Sequence, residues 1–335
     1  MDTADLNYDL PVDRIAQHPL EPRDSARLLD ATGDRHRHRI VRDLPSLLGP
    51  GDVVVVNDTR VLPARVRVTR STGGSGEVLV LDPVGDGWWE ALCRPSRKLA
   101  PGEVVASVVG DLRFEIGADR GEGRRLVRPI HSGQLIDALE SAGEMPLPPY
   151  IHEPLLDPDR YQTTYAASPG SAAAPTAGLH ITNQVWDAIL ATGATIERIE
   201  LVVGLGTFRP ITAERVEDHV MHAERYAVAP AVWERIGASD RVVAIGTTTV
   251  RTLESVAATG ELTGETSIFI TPGFRWQVVD LLLTNFHLPR SSLLAMIEAF
   301  VGPRWREIYA DALAEDYRFL SFGDAMLLPR FEQRS

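Results

Sequence analysis

The chain has 335 residues, 44% of them hydrophobic and 24% charged, with a formal net charge of −12. These proportions describe a folded globular protein with room for two domains, and the acidic balance excludes diffuse whole-surface binding of nucleic acid while leaving a local basic patch open. A single cysteine, Cys93, excludes an internal disulfide and any multi-cysteine metal site, and neither a signal peptide nor a long apolar span is present, so a soluble cytoplasmic protein without membrane contact is expected.

In chain order, Tyr8-Asp9-Leu10-Pro11, with Pro19 and Pro22 after it, predicts an ordered extended lead. The run Arg35-His36-Arg37-His38-Arg39 reads as a solvated strand or loop. Four consecutive valines in Gly51-Asp52-Val53-Val54-Val55-Val56-Asn57-Asp58-Thr59-Arg60, bounded by turn formers, predict a strand buried on both faces with a polar exit. From 61 to about 130 the texture changes to short strand-like pieces at 76–81, 88–94 and 103–109, punctuated by glycines, the pattern of a small antiparallel β domain. Met145-Pro146-Leu147-Pro148-Pro149-Tyr150 is a stiff connector and marks a boundary. Beyond it, strands at 195–203, 241–245 and 266–270 alternate with helices near 184–191, 248–258, 291–300 and 305–315, so an α/β domain follows. The buried N-terminal strand is expected to join it.

Four segments could carry chemistry. Ala172-Ala173-Ala174-Pro175-Thr176-Ala177-Gly178-Leu179-His180-Ile181-Thr182 is too apolar for a loop and too interrupted for a strand, and its small residues invite a close approach to the backbone. It reads either as a small-molecule cradle with Thr176 and His180 as polar groups or as a tight turn into a helix. Gly246-Thr247-Thr248-Thr249-Val250-Arg251-Thr252-Leu253-Glu254 places hydroxyls where a helix begins, and Arg251 and Glu254 three apart on one helical face. Either an anion site or a capped helix with a surface ion pair fits. His219 and His222 are expected to share a helical face, suited to acid–base use or to a polar neighbour; no third ligand at a familiar spacing makes them a metal site. Thr284-Asn285-Phe286-His287-Leu288-Pro289 ends an apolar strand, and Ser291 or Ser292 caps the helix after it. Gly204-Leu205-Gly206-Thr207-Phe208 lacks the third glycine of a dinucleotide fingerprint, and neither a Gly-x-Ser-x-Gly elbow nor a phosphate-binding Walker loop is present.

Taken together these segments resemble the S-adenosylmethionine:tRNA ribosyltransferase-isomerase family of queuosine biosynthesis. The likeness runs nearly end to end, through Asn57-Asp58-Thr59-Arg60-Val61 with Pro63-Ala64-Arg65, Met145 to Ile151, Arg160-Tyr161-Gln162-Thr163, Ala173 to His180, Gly204 to Phe208, His219 with Met221, His222 and Glu224, Gly246-Thr247-Thr248, Arg251 to Glu254, Thr284 to Pro289 and Tyr317-Arg318-Phe319 with Gly323-Asp324. It implies a large α/β domain, residues 1–60 plus 150–335, interrupted by a smaller antiparallel β-barrel domain, residues 61–149, in a monomer. It implies transfer of the ribosyl part of S-adenosylmethionine to a 7-aminomethyl-7-deazaguanine at the wobble position of a tRNA with a GUN anticodon, isomerisation to an epoxycyclopentanediol, and release of adenine and methionine. S-adenosylmethionine is then a co-substrate, and no metal or other cofactor is implied.

In that frame His180, His219 and His222 are the candidates for general base and acid. Thr176, Gly178, Thr247, Thr248, Arg251, Glu254, Asn285, His287, Asp58 and Arg60 are candidates for binding S-adenosylmethionine, with a guanidinium for its carboxylate and a carboxylate for its diol as the natural pairings. Arg65, Arg94, Arg97 and Lys98 are candidates for tRNA phosphates. Two positions depart from the family pattern: Val202 stands where a histidine is usual, and Ile181 where a phenylalanine could stack on a base. They leave open a relative acting on a free deazapurine or other small acceptor, or a noncatalytic scaffold that binds tRNA or S-adenosylmethionine.

Overall fold

The structure, a computed structural model, describes residues 1–204 and 210–331. The chain divides into two compact units, one made of Met1–Arg60, Pro148–Ser168 and Ala174–Ser335 and the other of Val61–Leu147 with Pro169–Ala173. The larger unit opens with strands β1 (Arg27–Asp30), β2 (Arg37–Ile40) and β3 (Asp52–Asn57), and the short β4 (Thr59–Val61) follows. All six residues of β3 are buried. Branched side chains stiffen its backbone and fill both faces of the pleat, which is why the valine run forms a central strand.

In the smaller unit, strands β5 (Arg65–Thr69), β6 (Ser75–Gly85), β7 (Trp88–Arg94), β8 (Val104–Ser107), β9 (Arg113–Gly121) and β10 (Arg124–Ile130) precede helix α1 (Leu135–Ala142) and a two-residue strand β11 (Gly143–Glu144). The strands pair antiparallel in the order β11-β5-β6-β7-β10-β9-β8, and β8 returns to β5, Ser107 opposite Val68 and Ala106 opposite Thr69. Six strands therefore close into a ring. Val66, Val68, Val78, Phe114, Ile116 and Val127 are buried in it, the alternating positions expected of strands with one covered face. The segments expected at 76–81, 88–94 and 103–109 are found in β6, β7 and β8.

After β12 (Ser168–Ser171), the larger unit continues with α2 (Asn183–Ala191), β13 (Thr195–Leu201), β14 (Glu224–Ala227), α3 (Pro230–Gly237), β15 (Arg241–Ile245), α4 (Thr247–Thr259), β16 (Thr263–Thr266), β17 (Leu281–Asn285), α5 (Ser292–Val301), α6 (Trp305–Ala314) and β18 (Ala325–Pro329). Its nine strands run in the order β16-β14-β13-β3-β15-β17-β18-β1-β2. The block β13-β3-β15-β17 is parallel. From β3 the chain moves first to β13 on one side and then to β15 on the other, so it reverses direction across the sheet. Such a reversal opens a crevice beyond the carboxyl ends of the strands.

Hydrophobic residues of α2 cover this sheet: Val185 and Ile189 pack with Val54, Val56, Val243, Ile245, Leu281 and Leu283. Each such side chain contributes about 1.5–3 kcal/mol by leaving water. Two expectations are corrected. The strand expected at 266–270 is β16, Thr263–Thr266, because its antiparallel partner β14 begins at Glu224, opposite Thr266, and offers no ladder beyond it. His219 and His222 are not helical: a short turn at Val216–Asp218 ends in an extended His219 (φ −75°, ψ 125°), and the chain runs on without regular structure to β14.

Candidate active site

A cleft lies beyond the carboxyl ends of β13, β15 and β17. Its walls come from Tyr150, the segment 174–177, Val203, residues 246–248 and 284–288, Ser291, Leu293, Leu320 and Ser321. Residues 246–248 join β15 to α4 and residues 284–288 continue β17, while Tyr150, Leu320 and Ser321 come from turns.

The Ala-Pro-Thr-Ala-Gly stretch forms a tight 3-10 turn, Thr176–His180, in which Gly178 donates to the carbonyl of Pro175 at 2.8 Å. What approaches Gly178 is the protein's own Tyr165: a Cβ there would sit 2.0 Å from the tyrosine hydroxyl oxygen. Gly178 does not line the cleft, so the small residue is required by packing. Thr176 does line it, and its hydroxyl donates to Oδ1 of Asn285 at 3.0 Å. That bond fixes the amide, whose Nδ2 then faces Nε2 of His180 at 3.2 Å and the carbonyl of Asp324 at 3.4 Å.

The carbonyl of Arg23 accepts a hydrogen bond from the His180 ring. Burial pushes His180 down to about 4, an effect reinforced by the Arg318 and Arg23 charges and only partly offset by that hydrogen bond. The imidazole is therefore neutral near neutral pH, and its unprotonated Nε2 accepts from Asn285. His287 is also buried, pushed down to about 3 by desolvation, with Nε2 3.2 Å from the Thr284 hydroxyl. Unlike His180, it forms part of the cleft wall. Tyr8 donates to its carbonyl, and its own N–H donates to the Tyr309 hydroxyl at 3.0 Å, so the chain at His287 is held from both sides.

On the opposite wall β15 runs into α4 through Gly246, whose φ of 90° favours glycine. Thr247 and Thr248 follow in the wall. Further along α4 the expected ligand groups are committed elsewhere. Arg251 pairs with Glu224, both almost fully buried, and the second oxygen of Glu224 accepts the Gly204 N–H at 3.1 Å. Glu254 is fully buried and accepts backbone N–H groups from Gln277, Val278 and Val279 at 2.9, 3.0 and 3.0 Å. Neither residue lines the cleft, and neither forms the surface ion pair that their spacing allows. The pairing of a guanidinium with a ligand carboxylate and of Glu254 with a diol is corrected accordingly: α4 turns that face inward, onto the protein's own loops.

The other candidates lie apart from the cleft walls. Asp58 follows β3 in a buried position, where desolvation and then the Glu200 charge raise its carboxyl above the usual range; Arg60 is exposed on β4. His219 packs edge-on against Phe269 at 5.5 Å, and burial and then the charge of His222 lower it. Ile181 is a core residue packed with the sheet and α2, so an aliphatic side chain there alters packing and not a stacking surface. Arg94, Arg97 and Lys98 are exposed on the smaller unit, and Arg65 is half-buried beside Glu77. The motif at 204–208 lies outside the described residues beyond Gly204. Tyr150 and Ser321, joined at 2.7 Å, are wall residues not among the expected ligand groups, Tyr150 lying in the stretch read as a connector. Among the described residues no group of three or more His, Cys, Asp or Glu is placed to hold a metal ion, and no helix is long and apolar enough to cross a membrane.

A family model described as "Queuosine biosynthesis protein" matches residues 3–328. The chain belongs to this family. A relative named S-adenosylmethionine:tRNA ribosyltransferase-isomerase from Rubrobacter xylanophilus is 52% identical over 332 residues, 98% of each chain. One of the same name from Symbiobacterium thermophilum is 47% identical over 98% of this chain and 100% of its own. The crystal structure of an S-adenosylmethionine tRNA ribosyltransferase from Thermotoga maritima, 32% identical, is similar with a TM-score of 0.54 over 96% of this chain and 99% of that one. The family membership carries the mixed α/β class and queuosine biosynthesis with it.

Proposed function

We propose that this chain is a cytoplasmic S-adenosylmethionine:tRNA ribosyltransferase-isomerase. It transfers the ribosyl group of S-adenosylmethionine to the aminomethyl nitrogen of 7-aminomethyl-7-deazaguanine at the wobble position of a tRNA with a GUN anticodon, isomerises it to the epoxycyclopentanediol, and releases adenine and methionine. S-adenosylmethionine is a co-substrate and no further cofactor takes part. The likeness to relatives of that name over 98% of the chain carries this reading. A mostly apolar cleft with a few fixed polar groups supports it as the place where the co-substrate binds.

The sulfonium makes the ribose 5′ carbon acidic, so a neutral base close to it is required, and a hydrogen-bond donor eases the departure of adenine. Asn285, held by Thr176 and His180, presents an amide that cannot rotate freely, and His287 supplies a neutral imidazole in the wall. In this reading His180 acts through Asn285, as a positioning residue. The assignment of His219 and His222 to acid–base roles rests on the proton-transfer range of imidazole and on the resemblance. The ring of strands is, in the same reading, a separate barrel domain whose Arg94, Arg97 and Lys98 meet tRNA phosphates, and the enzyme works as a monomer.

The test is mass spectrometry after incubation with S-adenosylmethionine and precursor tRNA. Modified tRNA together with free adenine and methionine is expected, with Asn285→Ala slowing single-turnover adenine release. Turnover only with a free deazapurine, or binding without turnover, would overturn the reading.

A further inference from the structure

Three helices that bear on this region begin differently. The hydroxyl of Thr182 accepts the Val185 N–H at the start of α2, and that of Ser291 accepts the Leu294 N–H at the start of α5. α4 is thirteen residues long and starts from Gly246, which has no side chain with which to cap it. Its first turn therefore directs N–H groups and the positive end of its dipole outward without an internal acceptor from the cap.

A second observation points to the same spot. Thr248 is 8% exposed, and its hydroxyl is buried without a hydrogen-bond partner although the residue lines the cleft. Most other polar side chains of the wall are engaged within the protein: Thr176 with Asn285, Thr284 with His287, Tyr150 with Ser321, and Ser291 with the carbonyl of Leu288 at 2.7 Å. No Asp, Glu, Lys or Arg stands among the wall residues described. A buried hydroxyl without a partner is costly, and one beside an open helix N-terminus adds a donor where an anion is favoured.

We infer that the start of α4 is the carboxylate subsite of the cleft, where the first-turn N–H groups and the Thr248 hydroxyl hold the methionine carboxylate of S-adenosylmethionine without help from a basic side chain. The inference rests on the reading of the cleft as the S-adenosylmethionine site. It also gives Gly246 a role: a Cβ there would meet the Thr248 hydroxyl oxygen at 3.6 Å, so a side chain at this position would occupy the mouth of the subsite. The orientation that follows puts the sulfonium and ribose toward the fixed amide of Asn285 and the neutral imidazole of His287.

The experiment is titration calorimetry of the full chain with S-adenosylmethionine and with its decarboxylated analogue, which carries an aminopropyl group in place of the aminocarboxypropyl group. The wild type should prefer the carboxylate form by about tenfold or more. Thr248→Val keeps the shape and removes the hydroxyl; it should weaken S-adenosylmethionine by about tenfold and leave the analogue unchanged, while Thr248→Ser retains wild-type discrimination. Equal binding of the two ligands by the wild type, or equal loss of both in Thr248→Val, overturns the subsite. A Thr248→Val chain that discriminates normally but binds tRNA more weakly overturns it too, since the anion would then be a phosphate. Asn285→Ala and His287→Ala separate the two levels: if neither weakens S-adenosylmethionine, the cleft reading itself fails and the subsite with it.

Discussion

Replacing Glu254 by glutamine discriminates a ligand-binding carboxylate from one that holds the fold. The wild-type carboxylate is fully buried and accepts three backbone N–H groups within 2.9–3.0 Å, from Gln277, Val278 and Val279. In Glu254→Gln the remaining carbonyl oxygen can serve Val278 and Val279, but the new NH2 group faces the Gln277 N–H, donor against donor. One charge-assisted bond is lost, at about 1.5–3 kcal/mol, and the orphaned donors add about 1–3 kcal/mol more. The total is about 2.5–6 kcal/mol. At about 2–4 °C per kcal/mol for a folding unit of this size, the melting midpoint should fall by roughly 10 °C. Circular dichroism melts measure that fall, and calorimetry well below the variant's midpoint measures S-adenosylmethionine affinity, which should stay within about threefold of wild type. An unchanged midpoint with an affinity loss beyond tenfold would instead show that Glu254 holds the ligand and not the backbone at 277–279.

Two further outcomes follow from the same packing. His180 and His287 have folded values of about 4 and about 3, below the ordinary 6.5, so the unfolded chain takes up protons first as pH falls. Their contribution to stability is complete above pH 6.5 and is lost progressively below it; by pH 5 it should be smaller by several kcal/mol, at about 1.4 kcal/mol per group per pH unit. Urea midpoints from pH 8 to 5 check this, and a His287→Gln variant should show a shallower slope; an equal slope would contradict the assignment. In Gly178→Ala the new methyl meets the Tyr165 hydroxyl oxygen at 2.0 Å and should cost about 1–3 kcal/mol by overpacking. Adding Tyr165→Phe should restore part of that stability, and a double variant no more stable than the single one would show that the clash lies elsewhere.

The elements that were legible in the sequence were those whose pattern is local. The valine run of β3, the hydroxyl start of α4 after Gly246 and the glycine-punctuated strands of the smaller unit each announce their geometry within about ten residues. Thr176, Asn285 and His287, which line the cleft, each stand at a break in a regular element, a position that the sequence marks locally. Arg251 and Glu254 were misread because spacing on a helix shows that two residues share a face but not what that face meets; their partners, Glu224 and the backbone at 277–279, are set by tertiary packing. Likewise the interval between His219 and His222 fits a helix, yet the segment runs on to β14 without regular structure, and no local signal separates the two. Tyr165 could have been sought: an invitation to close packing at Gly178 needs a bulky partner, and aromatic residues upstream were the available ones.

The nine-stranded sheet ends on one side at β2, where Arg37, His38 and Arg39 follow Arg35 and His36. An open sheet margin offers unpaired backbone groups to any extended chain, and the neighbour most often at hand is another copy of the same protein. To add itself there, a second copy would have to bring its own arginines to about 5 Å from these, the spacing of paired strands, in a setting that repels them. Arg39 is tied to the buried Asp30 at 3.0 Å, so the exposed Arg35 and Arg37 are the charges that such a pairing would set against their own copies, and neutralising those two would remove that local repulsion without touching the cleft.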